Sequence, residues 1–431
     1  MNASGSIYGT TIDNFKTLVI DFSNMDICGN LKVNGSLKIN NIDLSDYFTQ
    51  IDASLVDLAN NSGGKGTRLM SVDNLEPNTT NSTTIIRQIT NNFKENWLLN
   101  YSNTYTDGVA HGKGSLPFLG GVLAPNGKII LLPYSATNIG IYDPLTNTYS
   151  DGATYVGGAY AFYGGALAPN GKIILSPASS SSVGIYDPNT DTMSYTAHSA
   201  GANAFRGAVL APNGKIILVP RISPRVGIYD PITNTYTNGK DTHGAGGNAF
   251  RGGVLAPNGK IIFIPDTATN IGIYDPITDT YTTGPTHESG LNVAFSGGVL
   301  APNGNIIFVP SNSGNVGIYD PDDGPIGSYT NATHFKGTYN NLWFGGVLAP
   351  NGKIILVPHV SDKVGIYDPI ADTYTDGPTH GKSNGAFSGG VLEPNGKIIL
   401  VPSGSDKVGI YGGGYPLKYK NDALSPYFNK F

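Results

Sequence analysis

The chain is 431 residues long, with a formal net charge of −5, 58 glycines and 13% charged residues. This acidic balance offers no basic field to a polyanion, so no nucleic acid partner is expected, and the glycine content suits an all-β chain whose sheets are covered on both faces. Cys28 is the sole cysteine, which excludes an intrachain disulfide and a Cys-rich metal site, and no apolar run is long enough for a helical membrane span.

The opening residues Met1-Asn2-Ala3-Ser4-Gly5-Ser6 lack the basic-then-apolar order of a secretory leader, so synthesis and assembly in a cytoplasm are expected. Residues 1–43 read as a β-stalk or anchor. Within them Gly29 to Asn40 repeats on a six-residue period, with Leu31/Leu37 and Val33/Ile39 in register. Leu44, Phe48, Ile51, Leu55 and Leu58 then fall at steps of 4, 3, 4 and 3, predicting a short helix over 44–60 capped by Asp43 or Ser45. Two heptads either pack on their own domain or form an oligomer seam. Residues 61–98, polar at first, are linker and lead-in.

From residue 99 to 415 one unit recurs. Its Pro-Asn-Gly falls at Asn126, Asn170, Asn213, Asn258, Asn303, Asn351 and Asn395, in steps of 44, 43, 45, 45, 48 and 44 residues. That spacing is one four-stranded propeller blade, and seven copies close a ring. Pro-Asn-Gly fits a three-residue hairpin with Gly in the left-handed region, and Asp-Pro-x-Thr-x-Thr a second turn whose carboxylate accepts backbone N–H groups. The Gly-Gly pairs, such as Gly164-Gly165, allow inner strands to crowd an axis. The Ile-Ile-Leu-Val and Gly-Ile-Tyr runs are unbroken, as in strands sandwiched between blades. The seventh repeat stops after Tyr411, whereas Asn103-Thr104-Tyr105-Thr106-Asp107 copies Asn234-Thr235-Tyr236-Thr237-Asn238 without strands a to c before it. Residues 103–107 are therefore expected to supply the outer strand of the last blade. Residues 416–431 form a C-terminal tail.

The order Asn-Gly-Lys-Ile-Ile, then Gly-Ile-Tyr-Asp-Pro-x-Thr-Asn-Thr-Tyr, resembles a Kelch-type blade over residues 103–411, which implies the same ring. The Gly29 to Asn40 segment resembles repeats near the N-termini of viral fibre and tail-spike proteins. The end, Leu424 to Phe431, resembles tails on large-DNA-virus and phage proteins that carry such propellers. Together these resemblances imply a virion or adhesion component in which an anchor, oligomeric through residues 1–60 and taken as a trimer, presents a propeller head to a host glycan or protein or to another virion protein.

Comparing the copies separates scaffold from candidate surface. The a–b and c–d turns hardly change, whereas the b–c loops differ throughout, from Tyr134-Ser135-Ala136-Thr137 to Arg221-Ile222-Ser223-Pro224-Arg225. In an up-down blade the b–c and d–a loops share one end of the ring, so that end is the candidate recognition face. The d–a loops carry His111, His198, His243, His287, His334 and His380 at equivalent positions, with Tyr155 in the remaining repeat. A histidine ring either binds metal or an anion, or makes one local hydrogen bond per blade. Arg206 and Arg251 follow the strand-a Phe in adjacent blades. With Arg221 and Arg225 they read either as an anion or acidic-glycan site or as solvated surface residues. Asp320-Pro321-Asp322-Asp323-Gly324 reads as a decorated turn rather than a calcium loop. No cofactor, metal or catalytic constellation is expected, and the leading reading is a non-enzymatic attachment protein. Its alternatives are a propeller enzyme acting on a polysaccharide, or lyase-like, at the axial mouth, and an intracellular Kelch-like scaffold.

Overall fold

Seven four-stranded antiparallel sheets follow one another in the computed structural model, which describes residues 101–287, 293–332, 341–382 and 385–413, together with five short strands between residues 7 and 43. Blade 1 runs Phe118–Leu123 (strand a), Ile129–Pro133 (b), Asn138–Asp143 (c) and Thr148–Thr154 (d), and the next five blades keep that order. Strands a neighbour one another around the axis, and that of blade 7 lies beside that of blade 1, which closes the ring. Among the described residues there is no helix. The chain is an all-β, seven-bladed β-propeller.

Residues Met1–Asn92 form a separate unit, described by itself. Ile7–Tyr8 pairs in parallel with Ile27–Cys28, and Thr17–Ile20 in parallel with Ser36–Ile39, which in turn pairs antiparallel with Ile42–Asp43. The helix expected over 44–60, the linker over 61–98 and the tail over 416–431 lie outside the described residues.

The turns form as their residues dictate. Gly127 takes φ 80°, and the hairpin closes through Ala124 N–H to Lys128 O at 2.8 Å and Gly127 N–H to Ala124 O at 3.0 Å. In the second turn Asp143 Oδ1 accepts the Leu145 N–H at 3.0 Å, and Asn147 adopts φ 51°, a conformation that Asn and Asp tolerate. The buried Tyr142 hydroxyl donates to Asn147 Oδ1 at 3.1 Å, and Tyr186, Tyr229, Tyr274 and Tyr367 do the same to the Asn or Asp of their own turns. The decorated turn of blade 5 keeps the first of these bonds, Asp322 N–H to Asp320 Oδ1 at 3.0 Å, but its Tyr319 hydroxyl donates to Ile326 O instead.

Blades hold one another. Each hydrophobic cluster draws on two adjacent blades: Ile129 and Leu131 pack toward blade 7, Ile130 and Leu132 toward blade 2. Both faces of strand b are thus buried, which explains its unbroken apolar run; each such side chain contributes roughly 1.5–3 kcal/mol on burial. Asn126 has a role that its repetition did not disclose. Its Oδ1 accepts the Lys128 N–H within its own turn, and its Nδ2 donates to Pro188 O in the next blade at 3.2 Å. Asn170, Asn213, Asn258 and Asn303 repeat this cross-blade bond.

Glycine is required at two places. Gly164 takes φ 77°, a conformation that favours glycine, and the place of its Cβ lies at ordinary contact distance, 3.4 Å, from the Gly207 Cα of the next blade. A Cβ on Gly227 would stand 2.7 Å from Phe205 Cζ, so the strand-c glycine is the slot for the strand-a aromatic ring of its own blade.

Closure follows the expected course. Tyr105–Ala110 pairs with Lys407–Tyr411 as strand d of blade 7, with Tyr411 opposite Tyr105 and Ile410 opposite Thr106. The Tyr411 hydroxyl donates to Asn103 Oδ1 at 3.0 Å, reproducing from the far end of the chain the bond that other blades make locally.

Blade 7 departs from the pattern at Glu393, which stands where the other six blades place Ala124, Ala168, Ala211, Ala256, Ala301 and Ala349. Glu393 is 3% exposed and its Oε1 has no hydrogen-bond partner among the described residues. Burial pushes its carboxyl up to about 7 against the opposing pull of Lys397 and Asn395. A carboxyl raised above its unfolded value favours folding at acid pH, and that contribution is lost as pH rises through about 7. Glu393→Ala is therefore expected to raise stability by about 2–3 kcal/mol at pH 8, with the gain shrinking toward pH 4.5. Denaturant unfolding at the two pH values checks this, and a gain independent of pH would show that the Glu393 carboxyl titrates alike in the folded and unfolded chain.

Candidate functional site

Strand register decides which variable positions meet. Phe118 pairs with Pro133, Phe205 with Pro220, Phe250 with Pro265 and Trp343 with Pro358. The residue after each strand-a aromatic and the residue after each strand-b proline therefore emerge at the same end of the ring, that of the b–c and d–a loops. In blades 2, 3, 4 and 6 the first position holds Tyr163, Arg206, Arg251 and Phe344. In blades 1, 3, 4 and 6 the second holds Tyr134, Arg221, Asp266 and His359.

These side chains converge on the axis. The Arg206 guanidinium lies 5.3 Å from the Tyr163 ring centre and 5.8 Å from that of Phe344, three blades away. Arg221 covers Tyr163 at 5.5 Å and Arg251 covers Phe344 at 5.4 Å. Arg206 Nη1 and Arg251 Nε each approach Asp266 Oδ2 at 3.8 Å, and Arg251 Nη1 donates to Ser311 Oγ at 3.4 Å. Asp266 is 4% exposed, and among the described residues it is the carboxylate with which these arginines pair. Arg206 and Arg251 are thus half-buried rather than solvated surface residues. Arg206 in particular is held well below the usual guanidinium range, first by burial and then by the charge of Arg251, with Asp266 opposing. It stays cationic at neutral pH.

Arg225 stands apart. Its Nη1 donates to Gly239 O at 2.9 Å and to Lys240 O, both on strand d of its own blade. The mouth also holds residues that the reading by repeats did not single out. The Phe344 and His359 rings sit 5.4 Å apart, and Nδ1 of His359 is 2.9 Å from Phe387 O, so it carries the proton and donates. Tyr134 stacks on Tyr163 at 5.5 Å, and Tyr160 meets Tyr134 edge-on at 4.6 Å. The signal for all of them but Tyr160 was present in the two sequence columns that depart from the repeat. Only the Phe-to-Pro register shows that those columns adjoin.

The histidines of the d–a loops do not converge. His243 Nε2–H donates to Ser223 O at 2.7 Å, and its Nδ1 accepts the Ala245 N–H at 3.1 Å. His111, His198 and His380 form the same pair of bonds, with Ser405 O, Ser180 O and Ser361 O as acceptors, and His287 donates to Ala268 O. Tyr155 places its hydroxyl on Ala136 O, the matching carbonyl of its blade. Both ring nitrogens of these four histidines are thus engaged by backbone, each within its own blade. Burial lowers the proton affinity of His243 and His287, which keeps the neutral form that this bonding needs. His334 lies outside the described residues. No group of three or more His, Cys, Asp or Glu able to hold a metal occurs among the described residues.

The fold and mouth place the chain in the class of seven-bladed β-propellers. No family model and no curated protein matches it. Among solved structures it is similar to a streptogramin B lyase at 13% identity, with 73% of this chain and 98% of the other covered and a TM-score of 0.61. A catalytically inactive virginiamycin B lyase from Staphylococcus aureus, solved with quinupristin, is similar at 14% identity, 72% and 99% coverage and a TM-score of 0.61. The extracellular domain of a putative hybrid two-component system from B. thetaiotaomicron, of which 39% is covered, aligns with 72% of this chain at 15% identity and a TM-score of 0.55. At these identities the likeness is one of fold.

Proposed function

We propose that this chain is a viral, fibre-type structural protein whose Kelch-like propeller head binds a host glycan or protein, or another virion protein, through the b–c/d–a end of the ring. The observation that carries the reading is where asymmetry lies. The opposite end is locked by turns that repeat almost unchanged and bond from blade to blade, whereas the axial mouth gathers the arginines, Asp266 and aromatic rings that differ from blade to blade. The fibre-like hexads before residue 41 support an anchoring role for residues 1–60 and a homo-oligomer, a trimer, assembled in the cytoplasm and carried in the virion.

An enzymatic reading gains one observation: the mouth contains an acid, Asp266, and a histidine, His359, at positions where the other blades place different residues, whereas catalysis would be hard to place on equivalent blades. Both readings meet in one experiment. The full chain applied to a glycan array is expected to be retained without releasing product. Turnover of an arrayed glycan without stable retention would replace the attachment reading by the enzymatic one. Light scattering of the full chain is expected to return three times the 45.2 kDa protomer, and a monomer would remove the anchor from the proposal.

A further inference from the structure

Within the recognition reading, on which this inference rests, we propose that the axial mouth binds an acidic sugar, its carboxylate held by Arg206, Arg221 and Arg251 and its ring set against Tyr134, Tyr160 and Tyr163. The first argument is charge. Two guanidiniums, those of Arg206 and Arg251, share one buried carboxylate through ion pairs 3.8 Å long, beyond hydrogen-bond reach, and the third, Arg221, lies over the Tyr163 ring beside them. Arg221 Nε, Arg251 Nε and Asp266 Oδ1 are buried without a hydrogen-bond partner among the described residues. A buried, unsatisfied, charged donor is costly, and a carboxylate is the group whose two oxygens match the guanidinium fork. Arg206 faces the like charges of Arg251 and Arg221, and an incoming anion offsets that repulsion. The arginines remain reachable, with 14% and 12% of the Arg206 and Arg251 side chains exposed.

The second argument is the aromatic sector beside them. The stacked Tyr134 and Tyr163 bring their hydroxyls within 3.5 Å of each other, and Tyr163 also carries the Arg206 and Arg221 guanidiniums. Tyr160 is 49% exposed and sits at φ 64°, a left-handed position that the other blades fill with Leu116, Asn203, Asn248, Val293, Asn341 and Gly385. Apolar ring faces with hydroxyl donors, next to fixed cations, suit a pyranose carrying a carboxylate better than a bare inorganic anion.

Titration calorimetry on the full chain tests this with glucuronate and N-acetylneuraminate as probes, glucose as the neutral counterpart and sulfate as competitor. At least one acidic sugar is expected to bind, with glucose at least about tenfold weaker. Arg251→Gln is expected to weaken the acidic sugar roughly 10- to 100-fold, while Arg225→Gln leaves it unchanged. Should Arg251→Gln fail to fold, Tyr160→Ala decides, since this exposed change is expected to weaken the sugar while sparing competition by sulfate. Glucose binding as well as glucuronate, or acidic-sugar binding indifferent to the Arg251 and Tyr160 changes, overturns the inference. A neutral glycan retained on the array by unaltered variants leaves the recognition reading standing and this one refuted, and no retained glycan together with no bound acidic sugar removes glycan recognition as well.

Discussion

A chain that starts at Gly112 is expected to lose cooperative unfolding and to melt at least about 10 °C below one that starts at residue 99. The eight residues 103–110 are few, but they make contacts that no other segment replaces. Among the described residues Tyr105–Ala110 is the only strand paired with the outer edge of Lys407–Tyr411. Tyr105 packs with the cluster between blades 6 and 7, and Val109 N–H donates to Asn147 Oδ1 of blade 1 at 3.0 Å. Gly412 N–H to Thr104 O at 2.8 Å and Lys382 Nζ to Asp107 Oδ2 at 2.8 Å tie the same segment to blades 7 and 6. Without it, the Tyr411 hydroxyl loses its acceptor and one sheet edge opens at the ring's seam. A ring stabilised by neighbour contacts unzips from such a seam, so the loss spreads beyond the residues removed. Differential scanning calorimetry of the two chains checks this, and melting within about 2 °C of each other would show that three strands suffice for blade 7.

Asp266→Ala is expected to destabilise the head by about 3 kcal/mol, the largest single-residue effect in the mouth. The change removes little apolar contact. Its cost comes from leaving Arg206 and Arg251 without their shared counter-charge, next to the like charge of Arg221. Supplying an anion should recover part of the loss, because a ligand that binds only the folded form adds stability as its concentration exceeds its dissociation constant. Sulfate also stabilises folded chains in general, so the informative quantity is how much more it raises the melting temperature of the variant than of the parent. Equal melting temperatures for parent and variant would mean that Asp266 does not hold the arginines. An equal response to sulfate would mean that the vacated charge is not replaced by an anion.

Much of the scaffold was legible because it is local. Pro-Asn-Gly and Asp-Pro-x-Thr-x-Thr specify their turns within a few residues, so seven copies specify seven blades, and the misplaced Asn103 to Asp107 copy revealed the closure. Even there the reading was incomplete. The cross-blade bond from Asn126 to Pro188 O joins residues that no spacing links, and the notch of Gly227 around Phe205 appears only when strands a and c face each other. Glu393 was visible as a departure from alanine, but not that its carboxylate would be buried.

The site shows the same division more sharply. Sequence by itself determined that the b–c and d–a loops vary, that histidine recurs and that arginine follows phenylalanine twice, since each is a property of one repeat compared with the next. Tertiary structure alone decided which of these matter together. Closing the ring brings Arg206 against Phe344 across the axis and sets Asp266 between two arginines. It also leaves Arg225 on the outer strands and bonds the described histidines of the d–a loops each within its own blade. The reason is geometric: a repeat encodes its own turns and strands, whereas the axis belongs to no repeat, and the side chains that meet there are chosen by the rotation that relates one blade to another.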